Sequence, residues 1–305
     1  MRIRLLGTAA GGGVPQWNCN CPICREARSS TGRVQPRTQS SVAISADDQR
    51  WFLLNVSPDI CTQIEAFKPL QPAALTTRGS PIQSVLLTNA DLDHTLGLFQ
   101  LREGEQLLVH ATESVRDSLT QGISLSSTMA AFCGIQWINS PSELSPLLNR
   151  DASESGIFYQ TVSVGGRQPR FSRTIAQGLD HVVGYRFIDQ KSQGRLLFLP
   201  DVAVMDGKIN DLLTECDVLL FDGTFWSEDE MKQRGAGTLA ALEMGHVPIS
   251  GAGGSLRILK QLDVKHRIYV HINNTNPILL EDSAERAAVL ATGCIVGNDG
   301  MEFHI

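Results

Sequence analysis

The chain has 305 residues, of which 42% are hydrophobic and 19% are charged, and its formal net charge is −6. A chain of this size and composition can bury an ample apolar core and needs no disulfide staples. The acidic balance argues against a nucleic-acid ligand, because affinity for phosphate backbones comes from clustered basic residues. No apolar segment is long enough for a membrane span or a signal peptide, so we expect no membrane insertion and a cytoplasmic protein.

Short apolar runs typical of strands recur along the chain, and helical patterns lie between several of them. The runs are IRLL, SVAIS, WFLLN, SVLLT, QLLVH, IQWI, FYQTVSV, VGYRF, RLLFL, DVLLF, RIYVH and CIVG. The helical patterns cover residues 60–67, 112–119, 255–262 and 282–290. Strands precede helices in each half, which favours two sheets covered by helices over one doubly wound sheet. We interpret 140–156 as a surface excursion within a single domain, 1–305.

Acids and histidines follow five of these apolar runs, at or just past the end of each strand. The residues are Asp59, the group Asp91, Asp93 and His94, then Asp201, Asp222 and His271. If these strand ends lie side by side, their polar groups converge on one pocket, which is the usual ligand position in layered α/β folds. The alternative is that aspartates simply make the turns after strands, which would account for two or three of the five.

The loop 88-TNADLDHTLGL-98 concentrates this signal. Asp91, Asp93 and His94 supply two oxygen donors and one nitrogen donor within four residues, and these groups could share a cation. In the competing interpretation, Asp93 caps a helix that begins near Thr95 while Asp91 is solvated. The other strand-end groups favour the metal interpretation.

The same loop carries a resemblance to a known family. Residues 89–94, Asn-Ala-Asp-Leu-Asp-His, resemble the His-x-His-x-Asp-His motif of the metallo-β-lactamase superfamily, with both leading histidines replaced. The ordered set of segments is similar to the pyrroloquinoline quinone (PQQ) biosynthesis protein B family. The segments are GTAAGGGVPQWNCNCPIC, SSVAIS, TNADLDHTLGL, FLPDV, DGTFW, MGHVPISG and HINNTNP. The segment NVSPD resembles a motif of the wider superfamily.

This resemblance implies a fold and two candidate functions. The fold is an αββα sandwich with two mixed sheets flanked by helices. The first function is the oxidation of a tyrosine ring, with iron and oxygen, in a PQQ precursor made from the Glu and Tyr of a peptide. The second is non-catalytic carriage of PQQ or its precursor toward the periplasm. Other proteins of the pathway would be partners, and a homodimer is compatible with the sequence.

The resemblance also implies which residues act at the active centre. Asp93, His94 and His271 would hold the cation, with Asp91 and Asp201 completing or orienting the set. Two histidines and one carboxylate leave open positions on Fe(II), although manganese, zinc or magnesium could use the same ligands. His246, at the start of a predicted helix, resembles a proton donor of related proteins, and His181 is a further candidate ligand. Zinc hydrolases of this fold need the two histidines that are replaced here, which argues against hydrolysis.

The segment 18-NCNCPIC-24 contains three of the chain's seven cysteines. Cys19, Cys21 and Cys24 have the spacing of three corners of a tetrahedral structural zinc site. Related phosphodiesterases complete a similar cluster with a histidine, and the corresponding residue here is Asn274. The fourth ligand could therefore be Asn274, a water molecule or His271. The remaining cysteines are expected to be free and buried in the core: Cys61, Cys133, Cys216 and Cys294.

Overall fold

The computed structural model describes residues 1–29, 31–172 and 180–305, and its strands form two sheets of seven. The first sheet contains β1 Arg2–Gly7, β2 Ser41–Ser45, β3 Trp51–Leu54, β4 Ile82–Leu86, β5 Leu107–Ala111, β6 Ile135–Asn139 and β14 Glu302–His304. The second contains β7 Ser145–Leu148, β8 Glu154–Ser163, β9 Val183–Asp189, β10 Arg195–Leu199, β11 Val218–Asp222, β12 His266–Val270 and β13 Ile295–Val296.

Helices lie along and between the strands in the described part of the chain. They are α1 Pro22–Arg28, α2 Ile60–Glu65, α3 Leu92–Thr95, α4 Gly97–Gln100, α5 Glu113–Gly122, α6 Leu125–Met129, α7 Gly207–Leu213, α8 Glu230–Gln233, α9 Ala241–Met244, α10 Ser255–Leu259 and α11 Ala284–Ala291. Two 3₁₀ turns, Lys68–Leu70 and Pro277–Leu279, complete the set.

Each sheet is mixed, and its parallel part carries the residues of interest. The order of the first sheet is β14-β1-β2-β3-β4-β5-β6, with β3 to β6 parallel. The order of the second is β13-β12-β11-β10-β9-β8-β7, with β10 to β13 parallel. Because parallel strands end at one edge of a sheet, the residues that follow β4, β10, β11 and β12 can meet.

Three apolar clusters form the layers of the fold. Phe52 and Leu86 of the first sheet share the central cluster with Phe198 and Leu220 of the second. The opposite face of the first sheet packs against α2 and α5. The opposite face of the second packs against α7 and α11. Strands buried on both faces explain the continuous apolar runs in the sequence, and the layers confirm the predicted αββα sandwich.

The sequence analysis did not predict two of the strands, β7 and β14. β7 lies within 140–156, so the interpretation of that whole stretch as a surface excursion was wrong. Pro146 cannot donate to a ladder, and such strands are confined to sheet edges, where β7 lies. β14 has only three residues, too few to produce a clear alternation.

Not all of the isolated cysteines are core residues. Cys294 is buried as expected, but Cys133 and Cys216 are only partly buried and Cys61 is exposed on α2. The apolar neighbours of Cys61 in the sequence face the sheet, while Cys61 itself lies on the outer side of the helix.

Candidate metal centre

Acids and histidines that follow three strands line one cavity of about 280 Å³. Asp91 and Asp93 follow β4, Asp201 follows β10 and His271 follows β12; His246 reaches the cavity from the loop after α9. The predicted convergence therefore occurs, and it joins groups that are up to 180 residues apart (residues 91 and 271).

Asp93, His94 and His271, which we call the acid–histidine cluster, place three donor atoms within 4.8 Å of one another. Oδ2 of Asp93 lies 3.3 Å from Nε2 of His271 and 3.7 Å from Nε2 of His94. The two imidazole rings meet edge to face, with their centroids 5.0 Å apart. One carboxylate and two imidazoles thus face a common point.

The environment of His94 leaves only one of its ring nitrogens available. Nδ1 lies 2.9 Å from the amide nitrogen of Asn55 and 3.0 Å from the hydroxyl of Thr88. Nε2 is buried and has no hydrogen-bond partner among the described residues. A buried polar atom without a partner is costly, and here it points toward Asp93. A cation would satisfy it.

The electrostatics of the cluster suit a cation as well. Burial opposes the ionised form of Asp93, but His94 and His271 outweigh that effect and hold its pKa well below the usual range. Burial also opposes the charged form of His271, yet Asp201 and Asp93 raise its pKa to about 9. Without a metal, the carboxylates therefore retain a proton on an imidazole, and a metal would replace that proton.

The backbone at His271 is strained. Its φ of 54° lies in the left-handed region, which costs about 1–3 kcal/mol for a residue other than glycine and is concentrated at functional sites. Gly11, in the loop after β1, lies close to Asp93: a Cβ on Gly11 would lie 3.2 Å from Oδ2 of Asp93. The glycine-rich loop after β1 thus reaches the cavity because it carries no side chain there.

Asn89 and Asp91 stand where the superfamily motif has histidines. The Asn89 amide donates to Oδ2 of Asp201 at 3.0 Å, and its oxygen accepts from the Asp91 N–H at 2.9 Å. Both polar ends of Asn89 are thus engaged by protein groups. The Asp91 side chain opens to the cavity, yet the surrounding protein and the charges of Asp93 and Asp201 raise its pKa to about 6.

His246 and Asp222 form a pair beside the cluster. Nδ1 of His246 lies 2.8 Å from Oδ2 of Asp222, and the ring stacks on His271 at 5.5 Å. Burial lowers the pKa of His246, but the charge and hydrogen bond of Asp222 outweigh burial and raise it. Oδ1 of Asp222 accepts from the N–H and hydroxyl of Thr224. The sequence prediction noted Asp222 at a strand end but gave it no role.

A second group of donors overlaps the first. One atom each of Asp201, His246 and His271 lies within 4.8 Å of the other two. Asp201 reaches both imidazoles, at 3.9 Å from His246 Nδ1 and 3.7 Å from His271 Nδ1.

Two sequence predictions about this region, for His246 and Asp59, were wrong, and the competing interpretation of Asp93 was wrong as well. Asp93 does not cap a helix near Thr95, because α3 begins at Leu92 with Asp91 at its N-cap position. His246 does not open a helix; it follows α9, whose C-cap is Gly245. Asp59 does not line the cavity, because its carboxylate accepts from the N–H and side-chain amide of Gln39.

Cys19, Cys21 and Cys24, which we call the thiol cluster, also place their sulfurs within 4.8 Å of one another. The Asn274 amide nitrogen lies 3.2 Å from Sγ of Cys24, and the Asn274 carbonyl lies 3.5 Å from Sγ of Cys21. His271 lies with Asp93 in the other cluster. Of the protein side chains left open as the fourth ligand, Asn274 is therefore the one beside the sulfurs.

The remaining histidines make contacts outside both clusters. His181 lies 3.0 Å from the side-chain amide of Gln168 and belongs to neither donor group. His110 contacts the Tyr159 hydroxyl at 2.7 Å in the core. A larger cavity of about 620 Å³ lies at the opposite edge of the first sheet and includes Leu70, Ile82 and Leu107, but it borders no cluster of metal donors in the described chain.

Comparison with known proteins agrees with this geometry. Residues 50–272 match the model of the beta-lactamase superfamily domain. The chain is 40% identical over 306 residues to the coenzyme PQQ synthesis protein B of Pseudomonas putida, with all of both chains covered. It is 41% identical over 308 residues to that of Azotobacter vinelandii, again with full coverage.

Solved structures give the same result. The crystal structure of Zn²⁺-bound PqqB from Methylobacterium extorquens superimposes with a TM-score of 0.90 at 39% identity, and both chains are fully covered. A diphosphatase of the PhnP family shares the fold, with a TM-score of 0.68 at 19% identity over 100% of this chain and 97% of that one. Among the described residues, no helix combines the length and apolar character needed to span a membrane.

Proposed function

The chain belongs to the coenzyme PQQ synthesis protein B family of the β-lactamase superfamily, and from this premise we propose that it hydroxylates the tyrosine ring of a Glu-Tyr-derived PQQ precursor, using iron and oxygen. The observation that carries the proposal is the acid–histidine cluster, two imidazoles and one carboxylate open to a cavity. This donor set is the one that non-haem Fe(II) oxygenases use. A bound Fe(II) would supply the redox chemistry that dioxygen requires, which no side chain of the cavity can provide.

The residues around the cluster have distinct proposed roles. Asp93, His94 and His271 hold the cation, through Nε2 in the case of His94, whose Nδ1 is engaged by Asn55 and Thr88. Asp201 orients the set from beside His271. Groups that fix metal ligands in this way commonly set affinity and reactivity.

Asn89 supports one cation in place of two. Its side-chain amide donates to Oδ2 of Asp201 at 3.0 Å, and an amide nitrogen cannot bind a metal as the imidazole of a histidine would. Two-zinc hydrolysis requires imidazoles at positions 89 and 91. We therefore do not propose a hydrolase.

His246 is the proposed proton carrier. Its Nδ1 faces Asp222, which leaves Nε2 to exchange a proton with the ligand, and Asp222 favours the charged ring. Asp91 can hold a second exchangeable proton at the cavity mouth, since burial and the charges of Asp93 and Asp201 raise its pKa to about 6.

We propose zinc at the thiol cluster, with a structural role. Three thiolates are the usual ligands of structural zinc, and Asn274 covers the sulfurs of Cys21 and Cys24. No cysteine lines the 280 Å³ cavity as far as the described chain extends.

A second candidate function is a carrier that binds PQQ or its precursor without turnover. One observation favours it: the similar M. extorquens protein is described with Zn²⁺ bound, and zinc has no redox chemistry. The same cavity would serve either function.

A single-turnover experiment separates the two functions. The protein is loaded anaerobically with Fe(II) and mixed with oxygen, ascorbate and a tyrosine-containing dipeptide. One oxygen atom enters the ring C–H bond and the other leaves as water, with two electrons and two protons supplied by ascorbate, which becomes dehydroascorbate. A product heavier by one oxygen atom supports the hydroxylase, and unchanged but bound dipeptide supports the carrier. Zinc-loaded protein is the control and should give no product.

A further inference from the structure

Part of the cavity wall comes from residues 166–170, which follow β8 in the chain. Arg167 and Arg170 of this segment both line the cavity. Both side chains are exposed, and within the described residues neither guanidinium has an ion pair or a hydrogen bond. Two cations that have no partner among the described residues thus lie beside the cavity, where they can meet an anion.

The segment that carries these arginines is held in place. The Ala203 N–H donates to the carbonyl of Val164 at 3.2 Å, which ties the segment to the chain two residues after Asp201. Gly166 packs so closely on Val182 that a Cβ there would lie 2.4 Å from the valine side chain. Gln168, between the two arginines, contacts His181. The backbone positions of both arginines are therefore fixed relative to the acid–histidine cluster.

The cavity lining is rich in carboxylates, so positive charge from the arginines is needed if an anion is to bind. Its lining includes four carboxylates, Asp91, Asp93, Asp201 and Glu243. An anionic ligand would meet repulsion from those that the metal does not neutralise. Guanidinium groups pair with carboxylates through two parallel hydrogen bonds, so Arg167 and Arg170 can offset that repulsion.

The rest of the wall suits an aromatic ring of limited size. Phe225 and Val182 are buried apolar residues of the lining, and Leu239 and Met244 extend the apolar surface to the rim. The cavity volume of about 280 Å³ lies just below the range typical of ligand cavities, which starts at about 300 Å³. A folded peptide or a long chain would not fit.

We propose that Arg167 and Arg170 bind carboxylate groups of the ligand and select small aromatic compounds that carry at least two carboxylates. The inference deepens the proposed function and rests on it for the identity of the cavity as the substrate site. Each arginine takes one carboxylate, the apolar wall holds the ring, and the ring is thereby presented to the metal donors.

Binding of benzene-1,3-dicarboxylate to the zinc-loaded full chain, measured by calorimetry, tests this. Arg167→Gln and Arg170→Gln should each weaken binding about tenfold or more, and the double variant about 100-fold, because each removes a charge-assisted pair. Lys replacements should restore part of the loss. Arg195→Gln is the matched control, since Arg195 is an exposed arginine at the opposite end of β10.

The uncharged diamide of the same ring distinguishes charge recognition from damage to the cavity. Its binding should be the same in all variants. Equal dicarboxylate binding by wild type and the double variant, equal loss for the diamide, or no binding by wild type would each overturn the inference. Arginine-dependent binding together with no hydroxylation would refute the proposed hydroxylase and leave the inference standing.

Discussion

The thiol cluster and the acid–histidine cluster both contact one short segment that follows β12. His271 belongs to the acid–histidine cluster, and Asn274, three residues later, contacts the sulfurs of the thiol cluster. Their remaining donors differ in origin. The thiol cluster takes all three sulfurs from one six-residue segment. The acid–histidine cluster takes its donors from the ends of β4 and β12, in different sheets.

The two clusters also differ in their donor atoms and in their exposure to the cavity. Soft sulfurs covered by an amide are typical of closed structural zinc sites, whereas hard oxygens and imidazoles open to a cavity are typical of reactive ones. The contrast supports the proposal that the thiol cluster fixes the loop before α1 to the end of β12 and that the acid–histidine cluster serves the ligand. The two can therefore be removed separately.

The largest expected effect is on stability, from Cys24→Ser. Structural zinc contributes about 10 kcal/mol or more to small folded units, and a serine hydroxyl is a poor substitute for a thiolate. We expect a lower melting temperature and one metal equivalent fewer per chain, measured by thermal unfolding and elemental analysis. Cys61→Ser, at an exposed cysteine outside the cluster, should change neither quantity. Full metal content in Cys24→Ser would contradict the structural assignment.

His94→Ala should remove the metal of the acid–histidine cluster without affecting the thiol cluster. Loss of a ligand should weaken metal binding at the acid–histidine cluster more than about 100-fold, because even outer partners of ligands are worth about 10–100-fold. Hydroxylation should disappear while the thiol cluster keeps its metal. Metal titration with activity measurement checks this, with the exposed His304→Ala as control. Retained activity in His94→Ala would exclude the proposed ligand set.

Asp222→Asn should leave both metals bound and reduce turnover about 100-fold, since an aspartate that orients a proton-transferring histidine is worth at least that much. The sign of the accompanying pH effect follows from the structure. Asp222 raises the pKa of His246, so in the variant the protonated form is lost at lower pH. The falling limb of the pH–rate profile should therefore shift to lower pH, whereas Asp263→Asn, on the surface, should not move it. An unshifted profile would remove His246 from proton transfer.

The same contrast explains what the sequence could predict. The three cysteines are neighbours along the chain, so their spacing alone indicates a metal site. The sequence predicted that Asp93, Asp201 and His271 converge only if their strands lie side by side. The order of strands in the sheets decides which strand ends meet, and the sequence does not give that order. Asp59 failed for another reason: β3 lies beside β4 in the sheet, but the N–H and side-chain amide of Gln39 bind the Asp59 carboxylate. The contact between Asp222 and His246 could not be predicted from a local sequence pattern, because 24 residues separate them.

The last expected effect is on the pH dependence of stability, and it concerns the segment that the clusters share. Glu230 is buried, accepts from the Thr275 hydroxyl at 2.6 Å and from the Trp226 N–H at 2.6 Å, and so anchors the chain just after Asn274.

Burial raises the pKa of Glu230 from 4.5 to about 7. The folded state therefore binds this proton more tightly than the unfolded state. Its contribution to stability is fully present below pH 4.5 and is lost as the pH rises through 7, by up to about 3 kcal/mol. Glu230→Gln should flatten this part of the pH–stability curve, measured by denaturant unfolding between pH 4.5 and 8, while the exposed Glu154→Gln should leave it unchanged. Because the amide keeps the Thr275 contact, both clusters should retain their metals; loss of either would mean that the charge of Glu230 positions the shared segment.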